Sequence, residues 1–174
     1  MADTDTKKPA DKNGESPAAA AAGDAPAAPA GPPVPRVSVR TQYVKDLSFE
    51  NPGAPKSLSD NTGSPKIQVN VDVESKPLGG NHYEVALQIT ASGKKNEASV
   101  FVVELVYAGL FALENIPKER LEPVCLVECP RLLFPFARRV IADATREGGF
   151  PPLLLDPIDF GRLYRQHRSN AATK

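Results

Sequence analysis

The sequence is poor in the residues that many enzymes and metal sites use. Its 174 residues include no tryptophan, one methionine, two cysteines and two histidines. His82 lies in a predicted turn and His167 near the polar C-terminus, so neither fits a Ser-His-acid or Cys-His arrangement. We therefore predict that the protein is not an enzyme.

The two cysteines, Cys125 and Cys129, are too few for a metal site or a disulfide framework. A structural zinc site needs four ligands, and no second cysteine pair or nearby histidine accompanies these two. We expect free thiols that act as small apolar fillers. No Gly-x-x-x-x-Gly-Lys-Ser/Thr motif occurs, so we predict no nucleotide site, no metal and no cofactor.

An excess of charge of one sign is also lacking. The formal net charge is zero, and residues 36–174 carry 18 basic and 16 acidic side chains. Without the basic excess that drives counterion release, nucleic acid is not an expected partner. The longest apolar stretch, Val100–Leu113, is too short to span a bilayer and contains Glu104. We predict no direct membrane insertion.

Composition divides the chain into three parts. Residues 1–35 consist largely of Ala, Pro, Asp, Lys and Gly, which bury too little apolar surface to offset the entropy of ordering. We predict a disordered extension over 1–35, one domain over 36–164 and a flexible C-terminal tail over 165–174. Asp24 and several prolines interrupt the alanine-rich start, which does not suit a signal peptide, so a cytoplasmic location is expected.

Apolar and polar residues alternate in segments that we predict to be strands. Residues 43–50 form the first predicted strand. Residues 66–74 form the second, in which all the odd-numbered positions from Ile67 to Val73 are apolar. The alternation resumes at Tyr83 after the turn residues 77–81, so these two segments should pair as antiparallel strands.

Residues 99–111 form a further predicted strand that is apolar on both faces. Val103, Leu105 and Tyr107 lie on one face, and the opposite face is apolar except for Glu104. A small domain with one long helix covers only one face of its sheet, so the other face is expected to contact another copy of the chain.

The apolar period changes to three or four residues after Pro130, which predicts an amphipathic helix ending at Gly148-Gly149. Pro135 is expected to kink its first turns or postpone its start. Residues 150–157 contain three prolines and should pack in extended form. A short final helix is predicted over 158–164.

Read in order, these segments resemble the SecB family of export chaperones. Residues 43–52, YVKDLSFENP, resemble the first-strand signature of that family, and residues 101–111 with Glu104 resemble its fourth strand. Residues 129–138, CPRLLFPFAR, resemble the entry to the main helix, and residues 150–160 resemble the segment after it. The resemblance extends from about Val39 to Tyr164.

The resemblance implies an α+β fold: a four-stranded antiparallel sheet with one long helix and short helices on one face, assembled as a dimer of dimers. It assigns Val103, Leu105 and Tyr107 to the subunit contact. An ordinary place in the intrachain core remains the alternative for each of these three residues.

The resemblance also implies that Asp46, Glu50 and Glu104 dock the export ATPase SecA, whose short cationic, zinc-bearing tail binds a negative surface. Asp46 and Glu50 are four apart on a strand and therefore share a face. The alternative is that all three are solvated strand carboxylates. One departure is that family members are often strongly acidic, whereas Arg162, Arg165 and Arg168 crowd the C-terminus here.

The implied function is that of an ATP-independent holdase, which binds unfolded secretory preproteins and passes them to SecA. Such a protein needs an apolar groove, because it holds many different chains weakly and reversibly. The predicted groove residues are Phe150, Leu153, Leu155, Phe160 and Tyr164. Leu153, Leu154 and Phe160 could equally be plain core residues.

Two other functions remain open on the sequence. One is a SecB-like adaptor or toxin-antitoxin chaperone dedicated to a single partner, which client breadth would distinguish from a general holdase. The other is an enzyme with a helix-on-sheet fold, which would require a deep polar cleft with a perturbed acid or base.

Overall fold

The computed structural model describes residues 33–59, 63–95 and 98–172, with side chains described as far as residue 170. The predicted disordered extension lies, up to residue 32, outside the described residues and stays a prediction.

Four long strands form one antiparallel sheet. β1 is Arg36–Glu50, β2 is Lys66–Gly79, β3 is His82–Lys95 and β4 is Ala98–Glu114. Their order across the sheet is β1-β4-β3-β2, so β2, β3 and β4 form consecutive hairpins and β1 pairs with the free side of β4. The predicted four-stranded antiparallel sheet is confirmed, and β1 and β2 are its edges.

Five helical segments accompany the sheet in the described part of the chain. α1 is Lys56–Ser59, α2 is Lys118–Pro123, and a π-helical turn, Val124–Glu128, leads directly into the long helix α3, Cys129–Glu147. α4 is Phe160–Ala172. The predicted long helix is confirmed; it begins at Cys129 and continues past Pro135, so its start is not postponed.

The final helix is longer than predicted. We placed its end at Tyr164 and a flexible tail from residue 165, whereas α4 continues to Ala172. No proline or glycine follows Gly161, and arginine and glutamine are good helix formers. The guanidinium of Arg168 also lies over the ring of Tyr164 one turn earlier, a contact that favours continuation of the helix.

The core lies between α3 and one face of the sheet, which we call the inner face. Alternate side chains of β3 and β4 point toward α3 and are buried there, together with apolar side chains of the helix. The fully buried members include Val85, Leu87, Ile89, Phe111, Leu133, Ala137 and Ile141.

Val103, Leu105 and Tyr107 belong to this intrachain core. Their exposed fractions are 0%, 1% and 8% within a single chain. We therefore correct their assignment to the subunit contact, because their own α3 already covers the strand face that carries them. On the opposite face of β4, the apolar side chains of Val102, Val106 and Leu110 are half-exposed.

Two glycines allow aromatic rings to pack closely at one end of the core. A Cβ atom on Gly93 would lie 2.5 Å from Cε1 of Phe101, and one on Gly148 would lie 2.1 Å from Cζ of Phe49. Real Cβ atoms do not approach other heavy atoms so closely. Glycine is thus required at both positions for steric reasons, because neither has a positive φ.

We expect Gly148→Ala to destabilise the protein by about 1 to 3 kcal/mol, as overpacking does in other cores. Urea unfolding would measure the change. If the conflict is with the ring of Phe49, Phe49→Leu in the Gly148→Ala background should recover part of the loss, as a double-mutant cycle would reveal. Simple additivity of the two substitutions would contradict the steric explanation.

Candidate functional site

A largely apolar cavity of about 210 Å³ opens beside the segment that connects α3 to α4. Strand β2 forms one wall and the extended residues 150–153 form the other, as predicted for this segment. The lining residues are Ser64, Pro65, Ile67, Phe101, Phe150, Pro151, Pro152 and Leu153.

Three stacked or tilted phenylalanine rings lie at this cavity. The rings of Phe49 and Phe101 are nearly parallel, with centroids 6.1 Å apart, and Phe150 is tilted against Phe101 at 5.0 Å. Their separations lie in the range where aromatic pairs attract each other beyond simple area burial. Phe101 and Phe150, which line the cavity, thus form a closely packed aromatic surface.

One buried hydroxyl group holds the extended segment against α3. Thr145 Oγ1 accepts a hydrogen bond of 2.9 Å from the Leu153 amide and donates toward the Ile141 carbonyl at 3.0 Å. Thr145 is fully buried and the bond is partly buried, so loss of the hydroxyl would leave the Leu153 amide poorly satisfied. The hydroxyl therefore fixes the position of the wall that carries Leu153.

A second apolar cavity, of only about 20 Å³, lies beside the middle of β2 and is lined by Val73, Leu126, Leu163, Tyr164 and His167. Between the lining residues of the two cavities, the inner face of β2 carries an apolar strip that is exposed or half-buried: Ile67, Val69, Val71 and Val73. At about 3.3 Å per residue, this strip is roughly 20 Å long. We call the strip with its two cavities the β2 groove.

The outer edge of β2 borders this groove. Because β2 is the last strand of the sheet, one side of its backbone does not pair with another strand of the described chain. A peptide lying along the groove could therefore form backbone hydrogen bonds with β2 while its side chains contact the apolar strip and enter the first cavity.

Three of the five predicted groove residues line the cavities, and the other two lie in the core. Phe150 and Leu153 line the first cavity and Tyr164 lines the second. Leu155 and Phe160 are 5% and 1% exposed and belong to the core, so we correct their assignment to the groove surface. Both face α3, where the ring of Phe160 packs edge-on against Phe134 at 6.0 Å.

Sequence reasoning missed Ile67, Pro65 and Phe101 as groove residues. All three come from strands or turns distant in sequence from residues 150–164, so no local pattern links them to that segment. The one available signal was the β3–β4 hairpin, whose register pairs Gly93 with Phe101, so that the ring can pack directly over the glycine.

The three predicted acidic docking residues share the outer face of the sheet. Asp46 pairs with Val106, Glu50 with Val102, and Glu104 with Ser48, which lies between the two β1 acids. All three carboxylates are exposed. The structure therefore brings them into one acidic patch, which we call the acidic face.

A β-bulge at Lys45 decides which earlier residues of β1 share the acidic face. Lys45 is skipped in the pairing, since Val44 faces Tyr107 and Asp46 faces Val106. The extra residue shifts the alternation, so that Tyr43 and Asp46 point to the same face although they are three residues apart.

Side chains from the bulged strand reach across β4 to Glu84 on β3. Tyr43 donates a 2.5 Å hydrogen bond to Glu84 Oε1, and Lys45 Nζ lies 2.8 Å from Glu84 Oε2. The small Ala108, which pairs with Tyr43, leaves room for this crossing. The Lys45 and Tyr43 contacts hold the pKa of Glu84 below its ordinary value, and the same carboxylate raises the pKa of Tyr43.

A second apolar surface lies where β1 extends beyond the cover of α3. Five side chains with exposed fractions of 42% to 47% form what we call the β1–α3 patch: Val39, Val44 and Leu47 of β1, and Leu132 and Phe136 of α3. The patch is continuous, because Phe136 stacks on Tyr107 at 6.5 Å and Tyr107 pairs with Val44.

Cys125 and Cys129 are buried free thiols, as predicted. Burial raises the pKa of Cys125 to about 11 and that of Cys129 to about 12. Within residues 33–59, 63–95 and 98–172, no three His, Cys, Asp or Glu side chains converge in a way that could hold a metal ion. None of the helices in the described ranges is long and apolar enough to cross a membrane.

The family model described as "Preprotein translocase subunit SecB" matches residues 31–171. The chain belongs to the SecB family. It is 54% identical to the protein-export protein SecB of Parvibaculum lavamentivorans over 137 residues, covering 79% of this chain and 82% of that protein. It is 50% identical to the protein-export protein SecB of Maricaulis maris over 147 residues, covering 84% and 86% of the two chains.

A solved structure supports the SecB-like fold. The Mycobacterium tuberculosis SecB-like chaperone Rv1957, solved with a peptide from the HigA1 antitoxin, superposes with a TM-score of 0.56. The two chains are 20% identical, and the match covers 71% of this chain and 91% of Rv1957.

We expect Thr145→Val to destabilise this SecB protein by about 1 to 3 kcal/mol, because a buried amide loses its acceptor while the side-chain shape is kept. Urea unfolding would measure the loss, and hydrogen exchange at the Leu153 amide should accelerate. Thr145→Ser keeps the hydroxyl and serves as the control. Equal exchange at Leu153 in both variants would contradict the anchoring role of the hydroxyl.

Proposed function

We propose that this protein is an ATP-independent holdase that binds unfolded secretory preproteins in the cytoplasm and keeps them competent for export. The observation that carries the proposal is the β2 groove, an apolar strip between two cavities beside the free edge of a strand. Unfolded chains can supply both the apolar side chains and the unpaired backbone that such a groove binds, whereas folded proteins bury them. Binding alone suffices, so the proposal includes no catalysis and no cofactor.

The groove dimensions suit weak, reversible binding. A strip of roughly 20 Å accommodates about six residues of extended chain, of which alternate side chains face the groove. Each apolar side chain fully buried there would contribute about 1.5 to 3 kcal/mol, so three anchors give at most about 9 kcal/mol before the losses of entropy, and a single groove binds weakly. Several grooves in one particle would then hold a long preprotein tightly through effective concentration.

Family membership also supports assembly as a homotetramer, a dimer of dimers. The β1–α3 patch is the apolar surface of the described chain best suited to contact a second copy, since five apolar side chains there face solvent together. Tyr107 lies directly beneath Phe136. Changes at Tyr107 would therefore affect the proposed contact through that ring.

Membership in a protein-export family supports SecA as the partner that receives the preprotein. The acidic face offers three exposed carboxylates within one region of the sheet, which is complementary to a short cationic segment. The Glu84 contacts with Tyr43 and Lys45 would stabilise the bulge that immediately precedes Asp46.

A dedicated-partner chaperone is the second candidate function. It is favoured by the fold shared with Rv1957, whose structure contains a peptide from one antitoxin. A holdase for export should suppress aggregation of several unrelated unfolded preproteins. Activity toward a single partner only would favour the second candidate.

Client binding should depend on the groove wall formed by β2. We expect Ile67→Ser to raise the Kd for an unfolded preprotein by roughly fivefold to tenfold, since the side chain lines the first cavity. Leu78→Ser, which removes an exposed leucine from the end of the same strand, is the matched control. Titration by fluorescence anisotropy without nucleotide would measure both. Equal Kd values for the two variants would contradict the assignment of the groove.

SecA binding should depend on the acidic face. We expect Glu104→Gln to weaken SecA binding at low salt by roughly fivefold, because it removes the central carboxylate. Glu122→Gln, on α2 away from this face, is the control and should change little. Calorimetric titration at two salt concentrations would measure the difference, and an unchanged affinity for Glu104→Gln would refute this docking surface.

The oligomer should depend on the β1–α3 patch. We expect Phe136→Glu to shift the protein toward smaller species in sedimentation velocity, since a buried carboxylate would lack a partner in an apolar contact. Leu78→Glu introduces the same charge outside the patch and should leave the assembly intact. Circular dichroism would verify that both variants fold. Retention of the wild-type assembly by Phe136→Glu would exclude this patch from the contact.

A further inference from the structure

A lysine lies beside the acidic face, next to one of its carboxylates. Lys45 directly precedes Asp46, and its side chain reaches across the sheet to Glu84 of β3, with Nζ 2.8 Å from Oε2. An ammonium group on this surface would compete with a cationic ligand for the Asp46 carboxylate. The group that binds Lys45 therefore affects what the acidic face offers to a ligand.

The β-bulge explains why the lysine shares a face with Asp46. In a regular strand, consecutive side chains alternate, so Lys45 would point to the inner face. Because the pairing skips Lys45, Asp46 lies on the outer face opposite Val106 while Lys45 reaches Glu84 on the same face. The bulge thus places a positive charge where a regular strand would have none.

Glu84 binds this lysine with a carboxylate that is itself largely covered. Its side chain is 15% exposed, compared with 48% for Lys45. Oε1 accepts a hydrogen bond from the Tyr43 hydroxyl, so both carboxylate oxygens bind groups of the same chain. Glu84 is therefore poorly placed to contact a ligand and would act on one through Lys45.

The partners of Glu84 keep its carboxylate ionised. The hydrogen bonds from Lys45 and Tyr43 hold the pKa of Glu84 below its ordinary value, and the charge of Lys76, which lies opposite on β2, lowers it further. The carboxylate can therefore hold the lysine throughout the neutral pH range.

We propose that Glu84 is a positioning residue for SecA docking, which holds the ammonium of Lys45 and so leaves the carboxylate of Asp46 available to the cationic ligand. Without Glu84, Lys45 would turn toward the adjacent Asp46 and screen its charge. The inference rests on the proposed docking of SecA at the acidic face. It adds a residue that need not touch SecA.

Calorimetric titration of the full-length protein with SecA at low salt tests the role of Glu84. We expect Glu84→Gln to raise the Kd by roughly threefold to fivefold, although all three docking acids remain in place. Lys45→Gln in the Glu84→Gln background should restore the Kd to within about twofold of the wild-type value, because no ammonium is left to screen Asp46. The loss in Glu84→Gln should shrink at high salt.

Two control variants distinguish this contact from a general loss of negative charge. Lys76→Gln in the Glu84→Gln background removes the lysine of β2 that also faces Glu84, and it should not restore binding. Glu74→Gln removes an exposed carboxylate from the outer face of β2 and should change the Kd by less than about twofold. If Glu84 were only one more negative charge, Glu74→Gln would weaken binding as much, and Lys76→Gln would restore binding as well as Lys45→Gln.

The same variants exclude a merely structural role. If loss of Glu84 acted by disrupting the bulge, Lys45→Gln could not restore binding, because it does not replace the contacts of Glu84. Urea unfolding would verify that each variant is folded. Glu84→Asp serves as a second variant if Glu84→Gln fails to fold: it keeps the charge but shortens the side chain, so it should also release Lys45 and raise the Kd.

The outcomes separate this inference from the docking surface itself. If Glu104→Gln weakens SecA binding while Glu84→Gln and Glu84→Asp do not, Glu84 has no positioning role and the acidic face stands. Failure of Lys45→Gln to restore binding in the Glu84→Gln background would also overturn the role. An unchanged affinity for Glu104→Gln would instead refute the acidic face, and this inference would fail with it.

Discussion

Burial of the inner face of β3 and β4 under α3 is the interaction on which the other features depend. Leu87, Ile89 and Phe111 from the sheet and Leu133 and Ile141 from α3 are removed from water together. One 19-residue helix is too narrow to cover four strands. The middle of the sheet is therefore sealed, while both edge strands keep exposed apolar side chains. Edge β2 supplies the proposed groove and edge β1 the proposed subunit contact.

The same one-sided packing explains where the charged residues lie. Helices occupy the inner face, so the outer face can carry Asp46, Glu50 and Glu104 without burying their charge. Regular pairing of residues 46–50 with β4 brings these acids together. Client and motor would thereby occupy different faces of one sheet, and the two could be bound at the same time.

Much of this architecture could be predicted because alternation of polarity determines strands and a period near 3.6 determines helices. That is how the strand from Ile67 to Val73 and the helix after Pro130 were recognised. The strand over residues 99–111 was harder to interpret, because both of its faces are apolar and the sequence does not reveal which face α3 covers. The resemblance assigned Leu105 to a contact between chains, and the pattern could not decide between that contact and the intrachain core, where Leu105 lies.

The candidate site was predictable only in part, for the same physical reason. Phe150 and Leu153 were predicted correctly as cavity residues because a proline-rich apolar segment must pack in extended form. Phe160 follows this segment, but its side chain is buried in the core. Ile67 and Phe101 join the site through sheet register, which becomes known only once the strands are paired. α4 extended beyond its prediction because its polar composition was interpreted as a tail, although arginine and glutamine favour helices and Arg168 contacts Tyr164 one turn earlier.

The burial of the two thiols has a consequence for the clients of such a holdase. With pKa values of about 11 and 12, roughly one Cys125 in ten thousand is ionised at neutral pH, and fewer of Cys129. Only the thiolate attacks a disulfide or is readily oxidised. Reduced preproteins that have yet to form their own disulfides could therefore be held and released without becoming covalently trapped on the chaperone.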